Sequence, residues 1–218
     1  MGAATPVGLE VADKRVFAWV PDWPGWCRAG RTEEEALEAL AVYLDRFAPV
    51  VTRAGLRLPK TAGDRFDVRE RVKGDATTEF GAPGAVAESD REKVTPAVAR
   101  KHVALLEAAW SVLDGIAAKS PAILQKGPRG GGRDRDKMLA HVVDAEAAYA
   151  RKIGVKYKPP AFDDAGAVEA ARAEIVAVLG KTSDGGPPVP NGWPPRYAAR
   201  RLVWHVLDHA WEMEDKRP

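Results

Sequence analysis

The hydrophobic pattern of the chain changes its period once, near residue 75, and this change limits the folds that the chain can adopt. Before that point short β-compatible runs flank one helical stretch, whereas after it apolar residues recur at three- and four-residue steps. The stretch between the two patterns, "DATTEFGAPGAVAES", has the glycine, proline, serine and threonine typical of a linker. We therefore predict an α+β chain with a small α+β domain at residues 1–74, a linker at 75–94 and an all-α unit at 95–218.

The first half predicts a small sheet with one helix, over about residues 5–73. "KRVFAWVP" is predicted as a strand that ends at the turn-forming "PDWPG", and a second short strand around "WCRAG" returns across that turn. "DRFDVRERV" alternates apolar and charged residues and is predicted as a further strand. Thr32 is the predicted N-cap of the helix "TEEEALEALAVYLDRFA", because Glu35 follows three residues later and completes a capping box.

The second half contains four segments with helical periodicity, separated by glycine- and proline-rich breakers. The predicted helices are 95–119, 134–153, 164–180 and 195–216. The first breaker contains "PRGGGRDRDK", which we interpret as a solvated connection because it lacks the strand and the spacing of a phosphate-binding loop. Four helices joined in this way predict a four-helix bundle.

Three of the four histidines are predicted to face the interior of this bundle. The apolar face of the last helix consists of Leu202, His205, Val206, His209 and Met213. His141 lies on the corresponding face of the second helix. Buried imidazoles need partners for both ring nitrogens, and a divalent metal supplies one to each of them. Three such ligands leave a position open for Lewis-acid chemistry, so His141, His205 and His209 are the candidate metal ligands.

Ordinary packing is the alternative for these histidines, since a pair four residues apart on a helix is more often structural. His102, on the first helix of the second half, is predicted to be a core residue. Asp144, Asp208 and Glu212 each follow one of the three histidines by three residues, a spacing from which a carboxylate can orient an imidazole or accept a proton. Glu212 is the candidate catalytic residue among them.

The composition excludes several classes of protein. Apolar residues make up 45% and charged residues 29%, and no apolar run approaches the ~20 residues that cross a bilayer. A net charge of +2 argues against nucleic acid as the partner. Cys27 is the only cysteine, which excludes an internal disulfide and a multi-cysteine zinc site. No signal-peptide pattern is present, so a cytoplasmic location without membrane attachment is expected.

The segments "MLAHVVDAEAAYARKIG" and "RRLVWHVLDHAWEMED" resemble the second and fourth helices of the DinB-like (YfiT-like) superfamily. This resemblance implies a four-helix bundle that binds zinc or nickel through His141, His205 and His209 and that sometimes dimerises. It also implies a metal-dependent enzyme, either a thiol-dependent transferase that uses a low-molecular-weight thiol or a hydrolase, acting on a small molecule.

The segment "FAWVPDWPGWCRAGRTEEEALEALAVYL" resembles the HicB-like antitoxin fold, a small α+β domain. This resemblance implies a protein partner for the N-terminal domain, and with it the alternative function of a non-catalytic binding protein in a stress or toxin–antitoxin system. Trp19, Trp23 and Trp26 near the turn either close the core of this domain or form an aromatic surface, and Trp23 or Trp26 is a candidate wall of the metal cleft. Cys27 is either a small strand residue or a reactive thiol.

Overall fold

The computed structural model describes residues 3–127 and 132–218, and within them the chain has a mixed α+β fold with one sheet and six α-helices. The strands are β1 (Thr5–Val11), β2 (Val16–Trp19), β3 (Cys27–Gly30) and β4 (Phe66–Lys73). The helices are α1 (Glu33–Arg53), α2 (Ala76–Phe80), α3 (Pro96–Ala117), α4 (Arg135–Lys152), α5 (Ala165–Leu179) and α6 (Pro195–Asp215). Residues 128–131, in the glycine-rich segment interpreted above as a solvated connection, lie outside the described residues.

The sheet has the strand order β3-β2-β1-β4. β2 pairs antiparallel with both β1 and β3, and β4 pairs parallel with β1 because α1 crosses over between β3 and β4. Thr32 caps α1 as predicted, its side chain accepting a hydrogen bond from the Glu35 N–H at 3.2 Å. The helix runs five residues beyond the predicted stretch, through Pro49, because the side chains of Val50 and Val51 are buried against the core.

Strand β1 was not predicted, and two of its residues explain why. At Gly8 the indole of Trp19 lies so close that an added Cβ would be 2.3 Å from the ring, so the position requires glycine. Glu10 is completely buried, and its carboxylate accepts hydrogen bonds from the backbone N–H groups of Gly84 and Ala85 at 2.8 and 3.1 Å. A glycine and a charged residue are not typical of a buried strand, so the sequence pattern did not predict one here.

Helices α3 to α6 lie within the four predicted helical segments. α6 packs on α3 and α4, and α5 packs on the same two helices. α6 is buried around most of its circumference, including the polar side chains of Arg200, Arg201 and His205. None of the helices that the structure describes combines the length and the apolar character needed to cross a membrane.

The segment between the two halves is folded rather than an extended linker. It contains α2, capped by Asp75, and a short 3₁₀ helix at Ser89–Arg91. Asp90 is 4% exposed and binds Arg200 of α6, itself 2% exposed, through a bond of 2.6 Å from Nη2 to Oδ2 and another of 3.1 Å from Nε to Oδ1. A buried ion pair therefore ties this segment to α6.

The N-terminal half also contacts α6 directly. Trp211 donates a hydrogen bond from Nε1 to the Tyr43 hydroxyl at 2.6 Å. Gly25, in the "PDWPG" turn, has a φ of 94° and lies so close to α6 that an added Cβ would be 2.5 Å from Val203. Buried apolar residues of both halves thus form one continuous cluster. The division into residues 1–74 and 95–218 stays a prediction.

Asp90→Ala should lower the free energy of unfolding by about 3–5 kcal/mol, because it leaves the buried Arg200 guanidinium without its counter-charge. Asp67→Ala is the matched control, since Asp67 pairs with Arg69 on the exposed side of β4 and such pairs contribute little. Urea denaturation followed by circular dichroism measures both. Equal unfolding midpoints for the two variants would contradict the importance of the buried pair.

A fragment of residues 91–218 tests the division into two units. We expect it to keep its helical circular dichroism and to unfold cooperatively, but at a lower urea concentration than the full chain. The reason is that truncation removes Asp90 and uncovers Trp204 and Trp211, which are 5% and 8% exposed in the full chain. A broad, non-cooperative transition of the fragment would show instead that the halves cannot fold separately.

Candidate metal centre

The three predicted histidine ligands lie together. Ring nitrogens of His141, His205 and His209 are all within 4.8 Å of one another, one nitrogen from each ring. The ring centroids are 5.2 Å apart for His141 and His205, 4.9 Å for His141 and His209, and 4.6 Å for His205 and His209. The structure thus brings the three residues close enough to hold a metal ion.

Local helix geometry explains this arrangement. His205 and His209 are four residues apart on α6, so their side chains lie one turn apart on the same face. His141 comes from α4, whose buried Met138 and Val142 fix the rotation of that helix against its neighbours. His205 is 6% exposed and His209 9%, whereas His141 is half-buried. The cluster is therefore sheltered on the α6 side and accessible near His141.

The surroundings favour neutral imidazoles, which are the form that binds a metal. Burial lowers the pKa of His141 to about 4, and the neighbouring His209 and Arg133 act in the same direction. Burial also lowers the pKa of His205 well below its usual value, with further contributions from His209 and His141. At neutral pH each of these two imidazoles therefore has a nitrogen lone pair available to bind a metal.

One distance shows that these residues fit a metal ion. Ligand nitrogens about 2.0–2.1 Å from a tetrahedral zinc lie roughly 3.3 Å apart, and Nε2 of His141 and Nε2 of His205 are 3.3 Å apart. Nδ1 of His205 points away from the other two imidazoles and is buried without a hydrogen-bond partner among the described residues.

Glu212 lies beside the cluster, as its spacing predicted. His209 Nδ1 and Glu212 Oε2 are 3.0 Å apart, so an Nδ1–H donates to the carboxylate and leaves the Nε2 lone pair of His209 free. This bond to His209 and a second one from Lys216 at 2.5 Å lower the pKa of Glu212 to about 2. Glu212 is therefore an anion that orients one candidate ligand; its role as a catalytic residue stays a prediction.

The other two carboxylates with this spacing do not contact an imidazole within the described part of the chain. Asp208 binds Arg28 of β3 at 2.8 Å, and Asp144 is exposed on α4. His102 is buried on α3, as predicted, and lies outside the cluster.

The tryptophans of the "PDWPG" region mainly close the core. Trp19 and Trp26 are fully buried, and Trp26 donates from Nε1 to the Leu40 carbonyl at 2.8 Å. Trp23 is half-buried with the Lys101 ammonium 4.3 Å from its ring. These contacts place Trp26 in the core between the sheet and α1, away from the position proposed for it along the metal cleft. Burial raises the pKa of the Cys27 thiol to about 12, so Cys27 is a packed strand residue.

Two further residues shape the surroundings of His205, and the burial of one of them, Arg201, was not predicted. Tyr149 of α4 meets the His205 ring edge to face, with centroids 5.4 Å apart. Arg201 of α6 lies over the rings of Tyr149 and Trp204, at 5.3 and 4.9 Å, and donates from Nη1 to the Pro83 carbonyl at 3.2 Å. The adjacent "RR" in the sequence gives no sign that Arg201 is buried, because the segment that covers it lies more than a hundred residues away.

Comparison of the chain with protein-family models, with curated proteins and with solved structures finds no match in any of the three. The resemblances to the DinB-like superfamily and to the HicB-like fold therefore stay predictions.

Proposed function

We propose that the chain is a metal-dependent enzyme, a thiol-dependent transferase or a hydrolase, built from a HicB-like α+β domain and a DinB-like four-helix bundle. The observation that carries this proposal is the convergence of three imidazoles from two helices on one small space. The depressed pKa values of His141 and His205 are compatible with it, because they keep both imidazoles in the neutral form that binds a metal.

The ligand set favours zinc or nickel. Imidazole nitrogens suit late first-row divalent metals, whereas magnesium and calcium prefer carboxylate and carbonyl oxygens. His141, His205 and His209 would hold the ion, which supplies Lewis-acid activation of a small nucleophile or of a carbonyl group. A three-histidine set leaves a position for that reactant, as catalytic rather than structural zinc sites do.

The residues around the histidines would orient one metal ligand and set the charge near the metal ion. Glu212 holds the Nδ1 proton of His209 and thereby fixes the orientation of that ring. The guanidinium of Arg201, buried between Tyr149 and Trp204, adds positive charge near His205. The positive charge of Arg201 favours an anionic reactant, such as a thiolate, over a neutral one at this site.

Replacing one histidine tests the metal centre. His205→Ala should reduce bound zinc or nickel from about one ion per chain to near zero, measured by inductively coupled plasma mass spectrometry after dialysis against the metal. The apo-protein should melt within a few degrees of the wild type, because the change removes an imidazole whose Nδ1 is unpaired.

His102→Gln is the matched control, since it changes the one histidine outside the cluster. It should retain full metal occupancy. Full occupancy in His205→Ala, or equal loss in both variants, would show that the metal is bound elsewhere.

Glu212→Gln tests how the site works once the metal is bound. We expect about a 10- to 100-fold loss of activity or of metal affinity, because a neutral amide holds the His209 Nδ1–H less strongly. Turnover is measured on the metal-loaded protein with low-molecular-weight thiols and an electrophilic acceptor, and separately with esters. Asp144→Asn, the same change three residues after His141 but on an exposed carboxylate, should leave turnover unchanged.

Two results would contradict parts of this proposal. Equal turnover in Glu212→Gln and Asp144→Asn would remove Glu212 from the mechanism, although the protein would still be an enzyme. Stoichiometric metal in the wild type without turnover on any of these substrates would favour the alternative, a non-catalytic binding protein whose N-terminal domain contacts a protein partner.

A further inference from the structure

A groove of about 860 Å³ lies between α3, α4 and α5. Its volume falls in the range of about 300–1,000 Å³ that is usual for small-molecule sites. Apolar side chains form most of its walls, among them Trp110, Leu113, Val143, Phe162, Val168 and Val176. The groove can therefore bury the apolar part of a ligand.

The groove is separate from the metal centre. α4 contributes Leu139 and Val143 to the groove, whereas His141, midway between them in sequence, belongs to the histidine cluster. Successive side chains of a helix differ by about 100° in direction, so residues two apart lie on nearly opposite faces. A ligand in the groove would therefore lie on the far side of α4 from the histidines.

A buried charged cluster lies next to the groove. The Glu146 side chain is 3% exposed, and its carboxylate accepts a hydrogen bond from Trp110 Nε1 at 2.6 Å. Arg172 donates to the same carboxylate from Nε at 3.3 Å, and its guanidinium lies 4.8 Å from the centre of the Trp110 ring. Burial raises the pKa of Glu146, whereas the Arg172 charge opposes that shift. A buried ion pair adds little stability for its desolvation cost, so its position beneath the groove makes the groove a candidate binding site.

The charges that line the groove determine which ligand it suits. The charged groups that line the groove, among the residues that the structure describes, are the carboxylates of Glu107, Asp114 and Glu169 and the guanidinium of Arg172. They give an excess of two negative charges. Arg172 is already engaged by Glu146 and is 3.9 Å from Asp114. Asp114 and Glu146 therefore share the charge of Arg172, and the two lining carboxylates that form no ion pair among the described residues, Glu107 and Glu169, would attract a cation.

We propose that this groove binds a lipophilic organic cation, with its apolar groups against Trp110 and Phe162 and its charge beside Glu169. The excess of carboxylates in the lining favours a cation, and the apolar walls favour a lipophilic one. This inference does not depend on the proposed enzymatic function, because the groove and the metal centre share no described lining residue.

Two ions of nearly the same shape and opposite charge test the proposal. Isothermal titration calorimetry of the full chain should show tetraphenylphosphonium binding at least about tenfold more tightly than tetraphenylborate. Glu169→Gln should weaken phosphonium binding about fivefold, because it removes an exposed lining carboxylate that forms no ion pair among the described residues. Glu34→Gln, the same charge change on an exposed residue of α1, should leave the affinity unchanged.

Blocking the groove gives a second, independent measurement. Ala173 is exposed and lines the groove, so Ala173→Trp should fill it and abolish phosphonium binding without disturbing the fold. Ala170→Trp is the control, since Ala170 is exposed on the same helix but lies outside the described lining. Circular dichroism confirms that both variants are folded.

Three outcomes would overturn the proposal. The first is equal affinity for the two ions, which would show that charge does not govern the groove. The second is phosphonium binding that survives Ala173→Trp, which would place the ligand elsewhere. The third is an absence of phosphonium binding together with a dimer, seen by analytical ultracentrifugation, that Ala173→Trp dissociates. That outcome would show that a second copy of the chain covers the groove.

Discussion

The burial of α6 is the constraint on which the rest of the structure depends. Its buried polar side chains, Arg200 and Arg201 among them, cannot reach bulk water and so need partners inside the protein. Arg200 is bound by Asp90 and Arg201 by the Pro83 carbonyl, and both partners belong to the segment between the two halves. The same helix carries His205 and His209. The folded connecting segment thus secures the helix that supplies two of the three imidazoles.

The elements that the sequence predicted are those whose signals are local. The long helices were found to within a few residues because apolar spacing and N-caps such as Thr32 lie within one stretch of chain. β1 was missed because Gly8 and Glu10 make sense only beside Trp19 and the backbone at Gly84, which are distant in sequence. The contact between residues 75–94 and α6 was not predicted for the same reason, since the burial of Asp90 depends on Arg200 of α6.

The candidate sites show the same division. His141, His205 and His209 could be predicted to converge because each lies on the apolar stripe of its own helix, and Glu212 because it follows His209 by one turn. Arg201 could not be placed beside them, since its burial depends on a segment more than a hundred residues earlier. Glu146 reads as a solvated helix residue, and only the packing of Trp110 and Arg172 against it reveals a charged cluster beside an apolar groove.

α6 also connects the sheet to the histidines mechanically. One face of the helix carries His205 and His209, while another is attached to the N-terminal half through Trp211, which binds Tyr43, and Asp208, which binds Arg28. A helix behaves as a rigid element over a few turns, and His141 belongs to a different helix, α4. If a displacement of the sheet also moved α6, the distances from the His141 nitrogen to the nitrogens of His205 and His209 would therefore change. In this way the position of the small sheet would affect the distances between the three imidazoles.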